Sequence, residues 1–223
     1  VPVYIEKSHP FQQGTGCSVG IFNHFYANFF TVGALIPTAF SLYLSWQFLS
    51  IRNKSKPTFH LGVAYLYLAL FNFGYFIACG FYHPLAAFHR WITVGSILLH
   101  EAHINMFMLN IHGEMRARTA RLFLAAQYAV SFAVSAVFFL KTWGAQKVFI
   151  VSAHHWDFNA DATSRVIGLL IIGYLFVFIA ITAWKVCSVK TGARYFILLI
   201  GVAYLIASIV PSVANIMSRE GVI

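Results

Sequence analysis

Charge is what this sequence has least of. Asp, Glu, Lys and Arg make up 9% of its 223 residues, and only six of them are acids. A soluble domain carries roughly 25% charged residues. So little charge cannot clothe a water-facing surface, and much of the surface must face lipid. Cysteine is also sparse. Cys17, Cys79 and Cys187 lie far apart, with no CxxC pair and no zinc-type spacing, and read as three incidental thiols. Residues 1–20 lack the apolar core of a signal peptide. No internal repeat or low-complexity tract is evident.

What is present is hydrophobic sequence, 60% of the chain. It falls into six runs, 25–51, 59–82, 88–112, 120–141, 163–186 and 195–217. Each is close to the ~20 residues that span a bilayer as a helix. Alternating β-strand patterns of ~10 residues fit none of them. The expected fold is an all-α, polytopic bundle of about six transmembrane helices.

The net charge of +9 is placed like a membrane topology signal and unlike a nucleic-acid surface, so no nucleic-acid partner is expected. Arg52, Lys54 and Lys56 occupy the first loop, Arg116, Arg118 and Arg121 the third, and Lys185, Lys190 and Arg194 the fifth. The second loop has no basic residue before Arg90, and in the fourth Lys147 is offset by Asp157 and Asp161. The odd-numbered loops are therefore expected in the cytoplasm, with the N-terminus outside. The chain divides into an external segment, 1–24, the bundle, 25–217, and residues 218–223. The last six, Ser218-Arg219-Glu220-Gly221-Val222-Ile223, read as the opening of an external loop, so a seventh helix is expected beyond them.

Ionisable residues at membrane depth cost roughly 2.5–3.5 kcal/mol on insertion scales, and they call for a functional hypothesis. The third run contains His100, Glu101 and His103 near its middle. On a helical wheel, His89, Thr93, Ser96, His100, His103 and Asn110 fall within roughly 100° of arc. Glu101, Asn105 and His112 form a second stripe. A helix polar on two sides cannot turn either to lipid, so the third helix is expected at the centre. Matching polar residues occur on the second helix (Tyr65, Asn72, Tyr75, Cys79), the fourth (Gln127, Ser131, Ser135) and the sixth (Tyr204, Ser208, Pro211, Ser212, Asn215). Pro37 and Pro211 are expected to kink their helices or free a carbonyl.

The candidate ligand-binding set is His100, Glu101 and His103 as its core, lined by Asn72, Tyr75, Tyr204 and Ser208, with His83 and His89 at the outer entrance. Three chemistries compete for it. Haem needs two axial histidines from facing helices. His100 and His103 share one helix, so a partner must come from elsewhere, with His60 and His112 available on the inner side and His24, His83, His89, His154 and His155 on the outer. A non-haem metal would draw on His100, His103, His89, His83, His60 and His112, but His100-Glu101-Ala102-His103 is not an HExxH pattern. A proton- or ligand-sensing network is the third option, because His titrates near neutral pH and Glu101 can share its proton. The plainer alternative is hydrogen bonding between helices. The aromatic loop 142–162 reads as an interfacial belt or as a lid over the pocket.

Two segments and the tail carry a family resemblance. Phe81-Tyr82-His83-Pro84-Leu85-Ala86-Ala87-Phe88-His89-Arg90-Trp91, Lys54-Ser55-Lys56-Pro57-Thr58-Phe59-His60-Leu61-Gly62 and Ser218-Arg219-Glu220-Gly221 resemble the N-terminal seven-helix membrane regions of bacterial signalling proteins. Those regions precede nucleotide cyclases, PP2C-type phosphatases or histidine kinases. The resemblance implies a receptor in a bacterial inner membrane, with a cytoplasmic effector as partner. The expected function is a membrane sensor domain in the lipid bilayer. It would bind a small molecule, a proton or a cofactor in its His/Glu pocket, and a homodimer is a further expected state. A haem- or metal-bearing redox protein is the alternative.

Overall fold

The computed structural model describes residues 24–113, 116–150 and 154–219, with positions 161, 191 and 210–219 as backbone alone. Cys17, the rest of segment 1–23, and residues 220–223 lie outside the described residues, as do the side chains of Pro211, Ser212 and Asn215. Six helices form: α1 Phe29–Ser50, α2 Lys56–Gly80, α3 His89–Asn110, α4 Ala117–Thr142, α5 Asp161–Ser188 and α6 Thr191–Arg219. Each contains a stretch long and apolar enough to cross a membrane. The fold is an all-α bundle of the kind expected of an integral membrane protein. We call the end carrying the basic loops 51–55, 111–116 and 189–190 the inner end, and the opposite end the outer.

The helices begin and end close to the apolar runs, and local chemistry explains the differences. Asn28 caps α1, its side chain accepting from Thr31 N at 2.8 Å. The preceding residues 24–27 leave the helix and cross the outer end of α2, where Phe25 bridges Phe81 and Tyr26 N donates to Gly80 O at 2.8 Å. α2 starts three residues before its apolar run, because Ser55 caps it and Pro57 suits a first turn. It ends at Gly80; Phe81 and Tyr82 are extended and Pro84–Phe88 forms a 3₁₀ turn.

α3 is the axis of the bundle. Of its span, 78% is buried inside the protein, against 11–33% for the other five. It packs on α2, α4 and α5, while α1 packs on α2 and α6 on α5. Two apolar clusters lie along it. The inner one joins Met106, Met108 and Leu109 to Ala64 of α2, Phe178 of α5 and Ile197 of α6. The outer one joins Val94, Leu98 and Ala102 to Phe138 of α4 and Ile167 and Tyr174 of α5. The buried residues of α1 are Thr31, Thr38, Ser41 and Ser45, a seam of small hydroxyls at helical spacing that lets two membrane helices approach closely. α2 answers with small residues. A methyl group at Gly74 would overlap Thr93 of α3, so glycine is required where those two helices meet.

Two features were not legible in the apolar pattern. The loop after α4 folds into a hairpin, β1 Lys147–Ile150 and β2 His155–Phe158, paired antiparallel from Lys147–Phe158 to Ile150–His155. It packs over the 3₁₀ turn and buries His155, Asp157 and Phe158. Lys185, counted above among loop cations, lies instead in the last turn of α5. It is buried, and Nζ donates to Ile111 O at 3.0 Å and Gly113 O at 2.8 Å. It thus satisfies carbonyls just past the end of α3 and opposes the negative pole of that helix.

Lys185→Met removes both charge-assisted bonds and leaves those carbonyls unpaired. The expected cost is about 2 kcal/mol, read as a lower midpoint of thermal unfolding in detergent. Lys185→Arg, which keeps donors, should lose less.

Candidate functional site

The polar residues of α3 do not converge on one pocket. They radiate to different neighbours at three levels.

At the inner level, α2 turns the side carrying His60, Ala64, Tyr67 and Gly74 toward α3. His60 Nδ1 and His103 Nδ1 are 3.0 Å apart. On its other edge, His103 Nε2 is 2.6 Å from the Tyr128 hydroxyl of α4. Tyr67 adjoins that hydroxyl and tilts its ring over His103, with centroids 5.8 Å apart. The result is a hydrogen-bonded chain from α2 through α3 to α4. It has two neutral arrangements. In one, Tyr128 donates to His103 Nε2 and His103 Nδ1–H donates to His60; in the other, His60 Nδ1–H donates to His103 and His103 Nε2–H donates to Tyr128. A doubly protonated His103 allows neither, because it must donate both ways.

At the middle level, His100 Nδ1 donates to Ala64 O of α2 at 2.9 Å, and its ring lies 6.0 Å from that of Tyr204 of α6. Glu101 is 2% exposed. Its carboxyl faces the Tyr204 hydroxyl, which also neighbours Ser208. The Glu101–Tyr204 contact is electrostatic and falls short of hydrogen-bond geometry, leaving Glu101 Oε2 and Tyr204 Oη buried and unpartnered. Asn105 Nδ2 donates to Gln127 Oε1 of α4 at 3.0 Å. The Tyr174 hydroxyl of α5 meets Ser131 Oγ at 3.0 Å and Gln127 O at 2.9 Å.

At the outer level, His89 Nδ1 donates to Ala86 O at 2.9 Å, which fixes its tautomer and leaves Nε2 as a buried, unpartnered acceptor. Its ring contacts Tyr75 at 5.5 Å and His155 at 5.4 Å. Beside it, Arg90 Nε lies 3.3 Å from Asp157 Oδ1, a buried ion pair between α3 and β2. Asp157 Oδ1 also accepts from Phe158 N at 2.7 Å. The hairpin is therefore pinned inward by charge, while Trp143 before it remains exposed to the surroundings.

Of the sequence-derived candidates, His100, Glu101, Tyr204 and Ser208 come together, and His103 lies one turn further along α3. Tyr75 and His89 meet, but at the outer level. Asn72 does not join either group. It bonds Leu68 O of its own helix; of its heptad mates, Tyr65 stacks on Phe48 of α1, and the Cys79 carbonyl accepts from Asn28 and Thr31. His83 caps the 3₁₀ turn, its Nδ1 accepting from Leu85 N, with His24 as ring neighbour at 5.2 Å. His112 is exposed beside Phe196. His60 pairs with His103 and not with His112.

The six histidines considered as metal ligands are thus dispersed, and among the described residues no three His, Cys, Asp or Glu side chains converge. The one histidine pair bonded between facing helices among the described residues also fails to fit haem. Metal–imidazole bonds of about 2 Å would set two axial nitrogens about 4 Å apart across an iron. His60 and His103 are in direct contact. Tyr67, Tyr128, Tyr174, Arg90 and Asp157 were missed by sequence reasoning. Asp157 carried a faint signal, as one of six acids in a chain of 223.

No protein-family model, curated protein or solved structure matches the chain. The geometry alone carries the functional argument.

Removing one partner of the Arg90–Asp157 pair leaves a buried charge uncompensated. Asp157→Ala should destabilise the protein by about 3 kcal/mol, measured as thermal unfolding in detergent. The double change Arg90→Met with Asp157→Leu should recover most of that loss.

Proposed function

We propose that this bundle is a membrane sensor domain whose stimulus is a proton, and whose moving part is the packing of α3 against α2, α4 and α6. The observation that carries the reading is the His60–His103–Tyr128 chain. It links three helices through groups whose donor and acceptor roles reverse together. Protonating His103 forces both of its neighbours to accept, so whichever of Tyr128 and His60 was the donor must reverse its role. Glu101, facing Tyr204 with Oε2 unpartnered, supplies a second buried group whose charge state bears on α6. A change in protonation alters interhelical contacts at the inner end, where a cytoplasmic output would be attached. That is a local electrostatic event biasing a two-state element. The arrangement favours a proton over a haem because His60 and His103 bond each other directly and because all the contacting groups are titratable.

The test uses spin labels at the inner ends of α2 and α4 in the reconstituted chain. The distance between them should change as the pH is lowered from about 8 toward about 4, below the range in which a solvated histidine switches, because a buried imidazole resists the charged form. His103→Gln, which keeps hydrogen-bonding capacity without titration, should abolish the change. Infrared spectra over the same range should show a carboxylic acid band that disappears in Glu101→Gln. A distance that tracks pH equally in wild type and His103→Gln would defeat the reading.

A further inference from the structure

At the inner end, α2, α3 and α4 leave a cleft of about 280 Å³ between them. Its walls are mostly apolar, with Met106 of α3 and Leu124 of α4 among them, and His60 forms part of the α2 wall. Two cations, Lys56 at the start of α2 and Arg121 in the first turns of α4, border it, and both are exposed. Asn110, 3% exposed, also lines it. Its Nδ2 donates to Met106 O at 2.7 Å, which assigns Oδ1 as the free end, and that oxygen is buried without a partner. A buried acceptor of this kind is a costly feature unless a donor arrives.

The three elements specify one kind of molecule. Apolar walls at the membrane boundary accept acyl chain. Two cations at the mouth call for a phosphodiester, and basic pockets between transmembrane helices suit anionic headgroups. The Asn110 oxygen calls for a hydroxyl beyond the phosphate. We propose that this cleft binds an anionic glycerophospholipid with a hydroxylated headgroup, of the phosphatidylglycerol type, from the leaflet at the positive end of the bundle. The phosphate sits between Lys56 and Arg121, a headgroup hydroxyl donates to Asn110 Oδ1, and the chain lies against Met106 and Leu124. The site does not depend on the proton reading, although His60 belongs to both.

The test is native mass spectrometry of the chain released from nanodiscs containing phosphatidylglycerol, phosphatidic acid and phosphatidylcholine. Wild type should retain phosphatidylglycerol in preference to both others. Lys56→Gln and Arg121→Gln should each weaken retention about fivefold, the effect of about 1 kcal/mol per basic residue. Asn110→Leu should erase the preference over phosphatidic acid, which lacks the headgroup hydroxyl, while leaving that over phosphatidylcholine. The pair Lys190→Gln with Arg194→Gln, at the same end but outside the cleft, should change nothing. Equal retention of all three lipids would overturn the proposal. So would an equal loss in the Lys190/Arg194 control, or saturable binding of free glycerol phosphate in detergent.

Discussion

A polar side chain buried among membrane helices has no water to turn to, so each must be met by a neighbouring segment of protein. In this chain that demand is concentrated on α3. His89, Arg90, His100, Glu101, His103, Asn105 and Asn110 are all buried there, and the surrounding helices are arranged around what those residues require. α2 supplies His60 and the Ala64 carbonyl, α4 supplies Gln127 and Tyr128, α6 supplies Tyr204, and β2 supplies Asp157. The apolar clusters fill the spaces between these contacts. Packing of lipid-like side chains alone discriminates poorly between helix partners in a bilayer, whereas hydrogen bonds and ion pairs fix rotation and depth.

The same demand explains the asymmetry of the two ends. At the outer end α3 carries an arginine, and a hairpin folds inward to bring it a carboxylate. At the inner end the carbonyls after α3 receive the buried ammonium of Lys185 from α5. Both devices tie α3 to a segment distant in sequence, so its ends are anchored. Between them lie the contacts that can rearrange: a histidine–histidine–tyrosine chain with two equivalent directions, and a carboxyl and a phenol that face one another without a hydrogen bond. Anchored ends around an under-satisfied middle suit an element that changes state without losing its place in the fold.

The lipid-type cleft follows from the same geometry. α2, α3 and α4 are held together by the His60–His103–Tyr128 chain, and the cleft lies between the same three helices. Asn110 is the last residue of α3 and lines that space, with its side-chain oxygen buried and without a partner. On the two proposals above, the inner end of the bundle combines a titratable relay and an amphiphile site, both using His60.

Much of the architecture was legible without coordinates, because bilayer thickness imposes a length on apolar runs. Six runs of about 20 residues reappear as six helices. The polar wheel of α3 announced its burial, since no face was free for lipid. His100 and Glu101, grouped with Tyr204 from matching polar stripes, lie beside it in the structure. Partner choice was not legible. Whether His60 meets His103 or His112 depends on how α2 is rotated about its axis, and hydropathy says little of rotation. Asn72 looked equivalent to Tyr75 by composition, yet Asn72 bonds a carbonyl of its own helix while Tyr75 meets His89. The hairpin was hidden because its strands are four residues long and rich in aromatics that equally suit an interfacial belt. Lys185 gave no sign of its role, since its partners are backbone carbonyls, which every residue has. The sequence by itself determined that the described residues form six membrane-length helices and which one is central, because those follow from bilayer thickness and from the cost of exposing polar groups to lipid. Only the tertiary structure decided which side chains meet, because that depends on helix rotation and depth, set jointly by contacts scattered along the whole chain.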